Sequence, residues 1–263
     1  MLRLNDISKT FFPGTVNERR ALVSVNLTLN RGDFITVIGS NGAGKSTVLN
    51  TIAGRIPQDS GTVEIDGRDV GRLKEHSRAA LVGRVFQDPM AGTSPDLPIE
   101  QNLALADRRG AARLLKPGVT SRKRERFAEA LTVLELGLEK RLKTTVGLLS
   151  GGQRQALSLL MATYSQPKVL LLDEHTAALD PQRAELVTRL TTKVVEDQGL
   201  TTLMVTHNMA QALEVGNRLI MMHEGKIILD VDEDRKRDLT PEDLLSEFSK
   251  IKGNVLDDKT MLQ

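Results

Sequence analysis

The sequence predicts an α/β fold with a parallel sheet at its centre, and three observations lead to this class. Short β-rich runs alternate along the chain with stretches of helical spacing, which is typical of parallel strands connected by helices. The run KVLLLDE at Lys168–Glu174 is continuously apolar, as in a strand buried on both faces. A proline-containing stretch, residues 90–166, predicts an α-helical subdomain inserted between two strands. The predicted fold also includes an antiparallel β part.

The first half of the chain contains three strand candidates and one helix. The run DFITVIG at Asp33–Gly39 ends at a glycine, and the helical spacing of Lys45–Gly54 follows it and stops at another glycine. The segment GTVEIDG at Gly61–Gly67 alternates apolar and polar residues, which predicts a half-exposed strand. The apolar run at Leu81–Asp88 is the third strand candidate.

The inserted stretch is predicted to begin as a loop and to continue as a helix. Three prolines between positions 89 and 98 favour irregular structure at its start. A helix is expected at Ser121–Leu136, because Phe127, Leu131 and Leu134 would share one face of it.

The second half returns to alternating elements. Asp180 is expected to cap a helix that carries Pro181 in its first turn. The run TTLMVTH at Thr201–His207 is typical of a buried strand, and RLIMMHEGKIILD at Arg218–Asp230 predicts a hairpin that turns at its Glu-Gly pair. A last short helix is expected to start at Thr240.

The composition is typical of a soluble cytoplasmic protein, with 40% hydrophobic and 27% charged residues among 263. The absence of cysteine excludes disulfides and thiolate metal sites and suits a reducing compartment. No secretory signal and no apolar run of membrane-spanning length occur in the sequence. Residues 100–145 hold 11 Lys/Arg against 6 Asp/Glu, which a solvated helix face explains, with an anionic membrane surface or a partner as the alternative.

The strongest chemical signal is GSNGAGKS at Gly39–Ser46, which matches G-x-x-x-x-G-K-[ST] between a predicted strand and a predicted helix. Backbone N–H groups of such a loop, at the positive end of the helix, cradle the β- and γ-phosphates of a nucleotide. Lysine adds a charge to the same oxygens, and serine offers its hydroxyl to Mg²⁺. The candidate nucleotide-binding residues are therefore Gly39, Ser40, Asn41, Gly42, Ala43, Gly44, Lys45, Ser46 and Thr47.

Two carboxylates follow the buried strand at Lys168–Glu174. Asp173, at the carboxyl end of that strand, is suited to hold the metal together with Ser46. Glu174 can point into the crevice and polarise the attacking water. A solvated strand end is the alternative interpretation of such a pair. The phosphate-binding motif at Gly39–Ser46, known as a P-loop, favours the catalytic interpretation.

A second candidate cradle for an anion lies in LLSGGQRQALSLLMA, residues Leu148–Ala162. Ser150 and Gln153 have the spacing of a capping box, so Ser150 is expected to cap a helix. The same helix start exposes free N–H groups and the positive end of the helix dipole to an incoming anion. One chain thus carries two phosphate-binding candidates.

These motifs, in the order P-loop, LSGGQ, LLLDE, AALD and VTH, resemble the ATP-binding cassette (ABC) family, in its transporter nucleotide-binding subunits. The resemblance covers nearly the whole chain and implies a P-loop NTPase core that hydrolyses ATP with Mg²⁺. It implies a single domain, residues 1–263. Within it, residues 1–89 and 167–240 form a catalytic core with a β subdomain, residues 90–166 a helical subdomain, and residues 241–263 a C-terminal helix and tail.

The resemblance also explains the two cradles. In that family LSGGQ is the signature motif, and it faces the γ-phosphate held by the P-loop of a second subunit, in a head-to-tail dimer with two ATP molecules. Ser150, Gly151, Gly152 and Gln153 would therefore serve the nucleotide of the partner. Asp180 matches the D-loop aspartate, which also acts across the dimer.

Further positions match the family one by one. Gln87 matches the Q-loop glutamine, which contacts the metal or the attacking water and links the core to the helical subdomain. His207 matches the switch histidine near the γ-phosphate. Phe11 matches the aromatic residue that stacks on adenine, with Phe12 as the alternative. His175 stands where the family often has proline, and it receives no catalytic role.

The resemblance implies a transmembrane permease as partner, which would hold the chain on the inner face of the cell membrane. The stretches FFPGTVNERRAL, DEHTAALD and LTPEDLLSEF resemble bacterial uptake cassettes for tryptophan or tyrosine, so amino-acid import with an extracytoplasmic solute-binding protein is expected. Export of a lipid or macromolecule and a non-transport ABC ATPase are the alternatives. No nucleic-acid partner is expected, because the DNA-repair cassettes carry a coiled coil or large insertions between P-loop and signature.

Overall fold

The computed structural model describes residues 1–110 and 117–260, with side chains as far as 250. The strands that it contains are Leu2–Phe11 (β1), Arg19–Leu29 (β2), Phe34–Gly39 (β3), Ser60–Ile65 (β4), Arg68–Asp69 (β5), Val82–Val85 (β6), Val169–Asp173 (β7), Thr201–Val205 (β8), Arg218–His223 (β9) and Lys226–Val231 (β10). The helices are Lys45–Ala53 (α1), Glu75–Arg78 (α2), Ile99–Asp107 (α3), Ser121–Thr132 (α4), Gly151–Thr163 (α5), Pro181–Gln198 (α6), Met209–Glu214 (α7), Glu233–Arg237 (α8) and Pro241–Thr260 (α9).

The central sheet has six strands in the order β10-β9-β3-β8-β7-β6. Its strands β9, β3, β8, β7 and β6 are parallel to their neighbours, and β10 pairs antiparallel with β9. Val205 at the end of β8 lies between Val37 of β3 and Asp173 of β7. The segments that follow these three strands therefore meet at one edge of the sheet, as expected for the ligand-binding edge of a parallel sheet.

Alternate residues of the central strands enter two different cores. On β7, Leu171 packs with α1 and with the four-stranded antiparallel sheet β2-β1-β4-β5, whereas Leu170 and Leu172 pack with the helices on the other face. This burial on both faces explains the continuous apolar pattern of the strand. A smaller cluster between the sheet and the C-terminal helices contains Leu244 of α9 and Met221 of β9.

Several predicted elements differ in extent from those observed. The helix expected at Ser121–Leu136 ends at Thr132, because Glu135 adopts a left-handed backbone conformation (φ 54°) that turns the chain, although Leu134 remains buried. The proline-containing start of the inserted stretch is not all loop, since α3 begins directly after Pro98. The last helix is not short, because α9 extends over 20 residues.

Other predictions are confirmed by the described residues. The Asp180 side chain accepts a hydrogen bond from Arg183 N, with Pro181 at the start of α6. The hairpin β9–β10 turns at Glu224 and Gly225, both at positive φ (45° and 78°), as a two-residue turn requires. Within residues 1–110 and 117–260, no helix is long and apolar enough to cross a bilayer.

Candidate nucleotide-binding site

The P-loop connects β3 to α1 and depends on glycine at its two ends. Gly44 precedes the helix at φ 104°, and a Cβ there would lie 2.5 Å from the carbonyl oxygen of Ala21. A Cβ on Gly39 would lie 2.2 Å from the carbonyl oxygen of Met222. No side chain caps the first turn of α1, so its N–H groups remain available to an anion.

Lys45 lies folded inside this loop. Its side chain is buried, and Nζ donates to the carbonyl oxygens of Gly39 at 2.8 Å and Ser40 at 3.1 Å. Burial lowers the pKa of Lys45, while the nearby carboxylates of Glu174 and Asp173 act in the opposite direction. A buried cation whose partners are neutral carbonyls is well placed to gain a phosphate as its counter-ion.

Oxygen donors suited to Mg²⁺ meet beside the loop. Ser46 Oγ lies 3.4 Å from Asp173 Oδ1, so a side chain of α1 and the end of β7 face each other across the sheet edge. A hydroxyl and a carboxylate oxygen are ligands that Mg²⁺ takes together with water and phosphate oxygens. The donor set therefore fits the predicted metal.

Glu174 and His207 form a close pair at the same edge. His207 Nε2 lies 2.6 Å from Glu174 Oε1, and Glu174 N donates to the carbonyl oxygen of Val205. Glu174 adopts a left-handed backbone conformation (φ 47°), which is uncommon for a residue with a side chain. The strand ends thus hold the predicted water-activating carboxylate and the predicted switch histidine in one place.

P-loop residues 41–47, Glu174 and His207 line one pocket of about 220 Å³ together with Phe11, Arg19 and Ala21, whereas Gly39 and Ser40 lie outside its lining. Phe12 does not line it and is 66% exposed, so the geometry favours Phe11 as the adenine-stacking residue. Sequence reasoning missed Arg19, whose Nη2 donates to the carbonyl oxygen of Gly42 at 2.8 Å and whose strand position pairs with Phe11. The Pro-Gly pair at 13–14 was the available signal that β1 turns back as a hairpin.

The signature segment forms the predicted capping box. Ser150 Oγ accepts from Gln153 N, and Gln153 Oε1 accepts from Ser150 N. Glycines 151 and 152 lie close to the start of α6, since a Cβ on them would be 3.3 Å from Leu179 and 3.4 Å from Arg183. Neither this segment nor Asp180 is among the residues that line the P-loop pocket in the described part of the chain.

Gln87 lies two residues after the end of β6, outside the P-loop pocket. It follows β6 and is exposed, and the carbonyl oxygen of the preceding Phe86 accepts from Gln155 Nε2 of α5 at 3.1 Å. This bond joins the backbone beside Gln87 to α5, whereas the pocket lining does not include Gln87, and its role at the metal or the attacking water stays a prediction.

His175 is not part of the pocket lined by the P-loop. It is 2% exposed, its Nε2 lies 3.0 Å from Thr191 Oγ1 of α6, and burial lowers its pKa to about 4. Its ring is therefore neutral at physiological pH and anchors the segment after β7 to α6.

A P-loop, a carboxylate pair and a histidine at the carboxyl edge of a parallel sheet define a P-loop nucleotide hydrolase. The family model described as ABC transporter matches residues 22–177, and the chain belongs to this family. The tyrosine transport ATP-binding protein of Clostridioides difficile is 44% identical over 249 residues, which cover 94% of this chain and 98% of that protein.

More distant relatives and solved structures agree with this assignment. A methionine import ATP-binding protein of Mesorhizobium japonicum is 34% identical over 233 residues, and the matched part spans 59% of that longer protein. The solved dimer of an ATP-binding cassette in a post-hydrolysis state, bound to ADP and Pi, superposes with a TM-score of 0.75 at 29% identity, over 89% of this chain and 99% of that one. The predicted family, P-loop fold and ATPase activity in transport are thereby confirmed.

Proposed function

We propose that this chain powers the import of an amino acid, of the tyrosine or tryptophan type, through a separate permease on the inner face of the cell membrane. Two copies would pair head to tail around two ATP molecules. The observation that carries the dimer arrangement is the separation of the two cradles, because the signature segment lies outside the P-loop pocket of its own chain. The substrate class rests on the relative that transports tyrosine, which matches over nearly its whole length.

The residues around the pocket have complementary roles in hydrolysis. Lys45 and the N–H groups of the P-loop hold the β- and γ-phosphates, and Phe11 stacks on the adenine. Bound between Ser46 and Asp173, Mg²⁺ would supply positive charge to the phosphate oxygens. Glu174 polarises the attacking water. His207, whose Nε2 lies 2.6 Å from Glu174 Oε1, orients that carboxylate and senses the γ-phosphate.

In the head-to-tail dimer, the signature segment of one copy would bind the nucleotide held by the P-loop of the other copy, and we call this the trans arrangement. The N-terminus of α5 carries a positive helix end, and a γ-phosphate held by the other copy would lie against Ser150, Gly151, Gly152 and Gln153. Asp180 starts the helix that packs on the signature glycines, so a contact with the partner at Asp180 would move both segments together. The solved cassette dimer with ADP and Pi supports an arrangement of two copies.

Complementation of two inactive variants tests this arrangement. Lys45→Ala damages only the P-loop half of a site, and Ser150→Arg damages only the signature half. In a mixed dimer one site has both halves intact, and random pairing at equal ratio makes half of the dimers mixed. Roughly a quarter of the wild-type sites should therefore return in an isologous dimer.

A matched control shows whether the returning ATPase activity arises from mixed dimers or from residual activity of the variants. Mixing Lys45→Ala with the double variant Lys45→Ala/Ser150→Arg leaves every P-loop damaged, so no ATPase activity should return. Tagged pull-down with ATP confirms that mixed dimers form. Strong coupling between the two sites would keep ATPase activity absent although mixed dimers form and bind ATP. If crosslinks in these dimers place Ser150 beside Lys45 of its own chain, the trans arrangement is refuted.

The permease is proposed to dock beside the Q-loop. A groove of about 230 Å³ lies there between residues 91–94 and α3, and it includes the exposed Leu105. A short cytoplasmic helix of the permease could pack its apolar face into this groove. We take residues 90–166 as the helical subdomain that carries both the groove and the signature, residues 1–89 and 167–240 as the core, and residues 241–263 as the C-terminal helix and tail.

Uptake by reconstituted vesicles tests direction and substrate. Vesicles that contain the permease, this chain and the solute-binding protein encoded with them should accumulate labelled tyrosine or tryptophan when ATP is present on the side of this chain. The Glu174→Gln variant provides the matched control without hydrolysis. ATP-driven efflux, or uptake of neither amino acid, would contradict the proposal.

A further inference from the structure

Arg84 of β6 contacts three side chains, one of which is the predicted metal ligand Asp173. Its Nη2 lies 3.0 Å from Asp173 Oδ2, and its Nη1 donates to Asn50 Oδ1 of α1 at 2.8 Å. Its guanidinium carbon lies 4.6 Å from the centre of the Phe86 ring. The side chains of Arg84 and Asp173 are only 9% and 15% exposed, so solvent screens this ion pair weakly.

The two oxygens of Asp173 therefore have different partners. Oδ2 is engaged by Arg84, while Oδ1 faces Ser46 Oγ at 3.4 Å. Only Oδ1 is turned toward the position where a cation between Ser46 and Asp173 would lie. The stack on Phe86 and the bond to Asn50 fix the plane of the guanidinium, which a flexible ammonium group would not do.

The ion pair between Arg84 and Asp173 also affects the net charge of the site before a nucleotide binds. Two carboxylates, Asp173 and Glu174, face Arg84 and Lys45, and the guanidinium of Arg19 lines the same pocket. A divalent cation alone gains little from a set of charges with no net negative charge. A nucleotide adds several negative charges, and the cation then has a strong partner.

We propose that Arg84 makes cation binding at Asp173 depend on the nucleotide. It holds Asp173 so that one oxygen faces the metal, and its charge prevents the metal from binding tightly before ATP. Arg84 is thus a positioning residue that acts through Asp173. This inference rests on the proposed Mg²⁺ site of the ATPase, and it assigns the order in which the site is filled.

Binding of Mn²⁺, followed by electron paramagnetic resonance on the full chain, tests the inference without hydrolysis. The ratio of Mn²⁺ affinity with and without a non-hydrolysable ATP analogue is the measured quantity. Arg84→Met removes the charge, so Mn²⁺ alone should bind at least about tenfold more tightly and the ratio should fall. Arg84→Lys keeps the charge, so the ratio should stay within about threefold of that of the unaltered protein.

Further variants make each outcome decisive. The double variant Arg84→Met/Asp173→Asn should lose the gain in Mn²⁺ affinity, because the gain arises at Asp173. If Arg84→Met does not fold, Arg84→Gln, which can keep a bond to Asn50, provides the same neutral test. An unchanged ratio in the neutral variants, or a gain that survives Asp173→Asn, overturns the role of Arg84. Failure of the unaltered chain to bind Mn²⁺ with the analogue would instead refute the metal site of the proposed function, and with it this inference.

Discussion

Acidification should destabilise this protein through His175. The imidazole is 2% exposed, its Nε2 is bonded to Thr191, and burial lowers its pKa to about 4. In the unfolded chain the pKa of histidine is about 6.5, so between these values the unfolded state binds more protons than the folded state. The contribution of neutral His175 to the free energy of unfolding is therefore fully present above about pH 6.5 and is lost as the pH falls toward 4.

The size of the loss follows from the difference between the two pKa values. A difference of about 2.5 units corresponds to roughly 3.4 kcal/mol once the pH is below both values. By pH 5 the loss is already roughly 2 kcal/mol. This is a large part of the net stability of a typical domain.

Urea unfolding of the nucleotide-free chain between pH 7.5 and pH 5 measures this loss. His175→Gln removes the titrating group and keeps an amide that can reach Thr191. Its stability should fall by roughly 2 kcal/mol less than that of the unaltered chain over this range, because the other titrating groups are common to both. His76→Gln, at an exposed histidine, is the matched control and should follow the unaltered chain. Equal pH slopes for the unaltered chain and His175→Gln would refute the reasoning.

Three further predictions concern the nucleotide site and the membrane. Glu174→Gln should reduce ATP hydrolysis roughly 10²–10⁴-fold and retain nucleotide binding, so that gel filtration with ATP shows a trapped dimer; near-normal turnover would assign water activation to another residue. Phe11→Ala should weaken binding of a fluorescent ATP by roughly 3–10-fold, and Phe12→Ala should leave it unchanged; the reverse order would assign stacking to Phe12. Co-expressed with its permease, the chain should stay in the membrane fraction at moderate salt, because apolar packing in a groove is insensitive to ionic strength; release by salt would favour lipid binding by the basic residues 100–145.

The parts of the fold that could be predicted are those in which a local pattern and the tertiary environment agree. Val169–Asp173 and Thr201–Val205 are buried on both faces, so their apolar runs identify them as strands. Strand β1 was not predicted, because Asp6 adopts a left-handed conformation (φ 52°) and the pairing register shifts between Leu4 and Ile7. Such an irregularity breaks the alternation on which recognition of a half-exposed strand depends.

The nucleotide site likewise has residues that the sequence predicts and contacts that only the structure shows. The P-loop residues are adjacent in sequence and are recognisable by spacing alone, whereas the environment of Asp173 is assembled from separate segments. Arg84 lies 89 positions before Asp173, and neither residue type nor spacing indicates that their side chains meet at 3.0 Å. His175 is adjacent to Glu174, yet only the structure shows that its ring turns into the protein and contacts α6. Contacts of this kind depend on strand order, which single-sequence patterns do not specify.

On the proposed arrangement, the charges of the two cradles explain why dimerisation should require ATP. The P-loop presents Lys45 and the uncapped positive end of α1, and the signature segment presents the positive end of α5. Bringing a P-loop and a signature segment together without a nucleotide would place two positive helix ends opposite each other, which is unfavourable. The phosphates of ATP supply the negative charge that both surfaces lack, so one ligand satisfies donors from two chains at once. Hydrolysis and release of phosphate remove that shared charge, and the same repulsion then favours separation of the two copies.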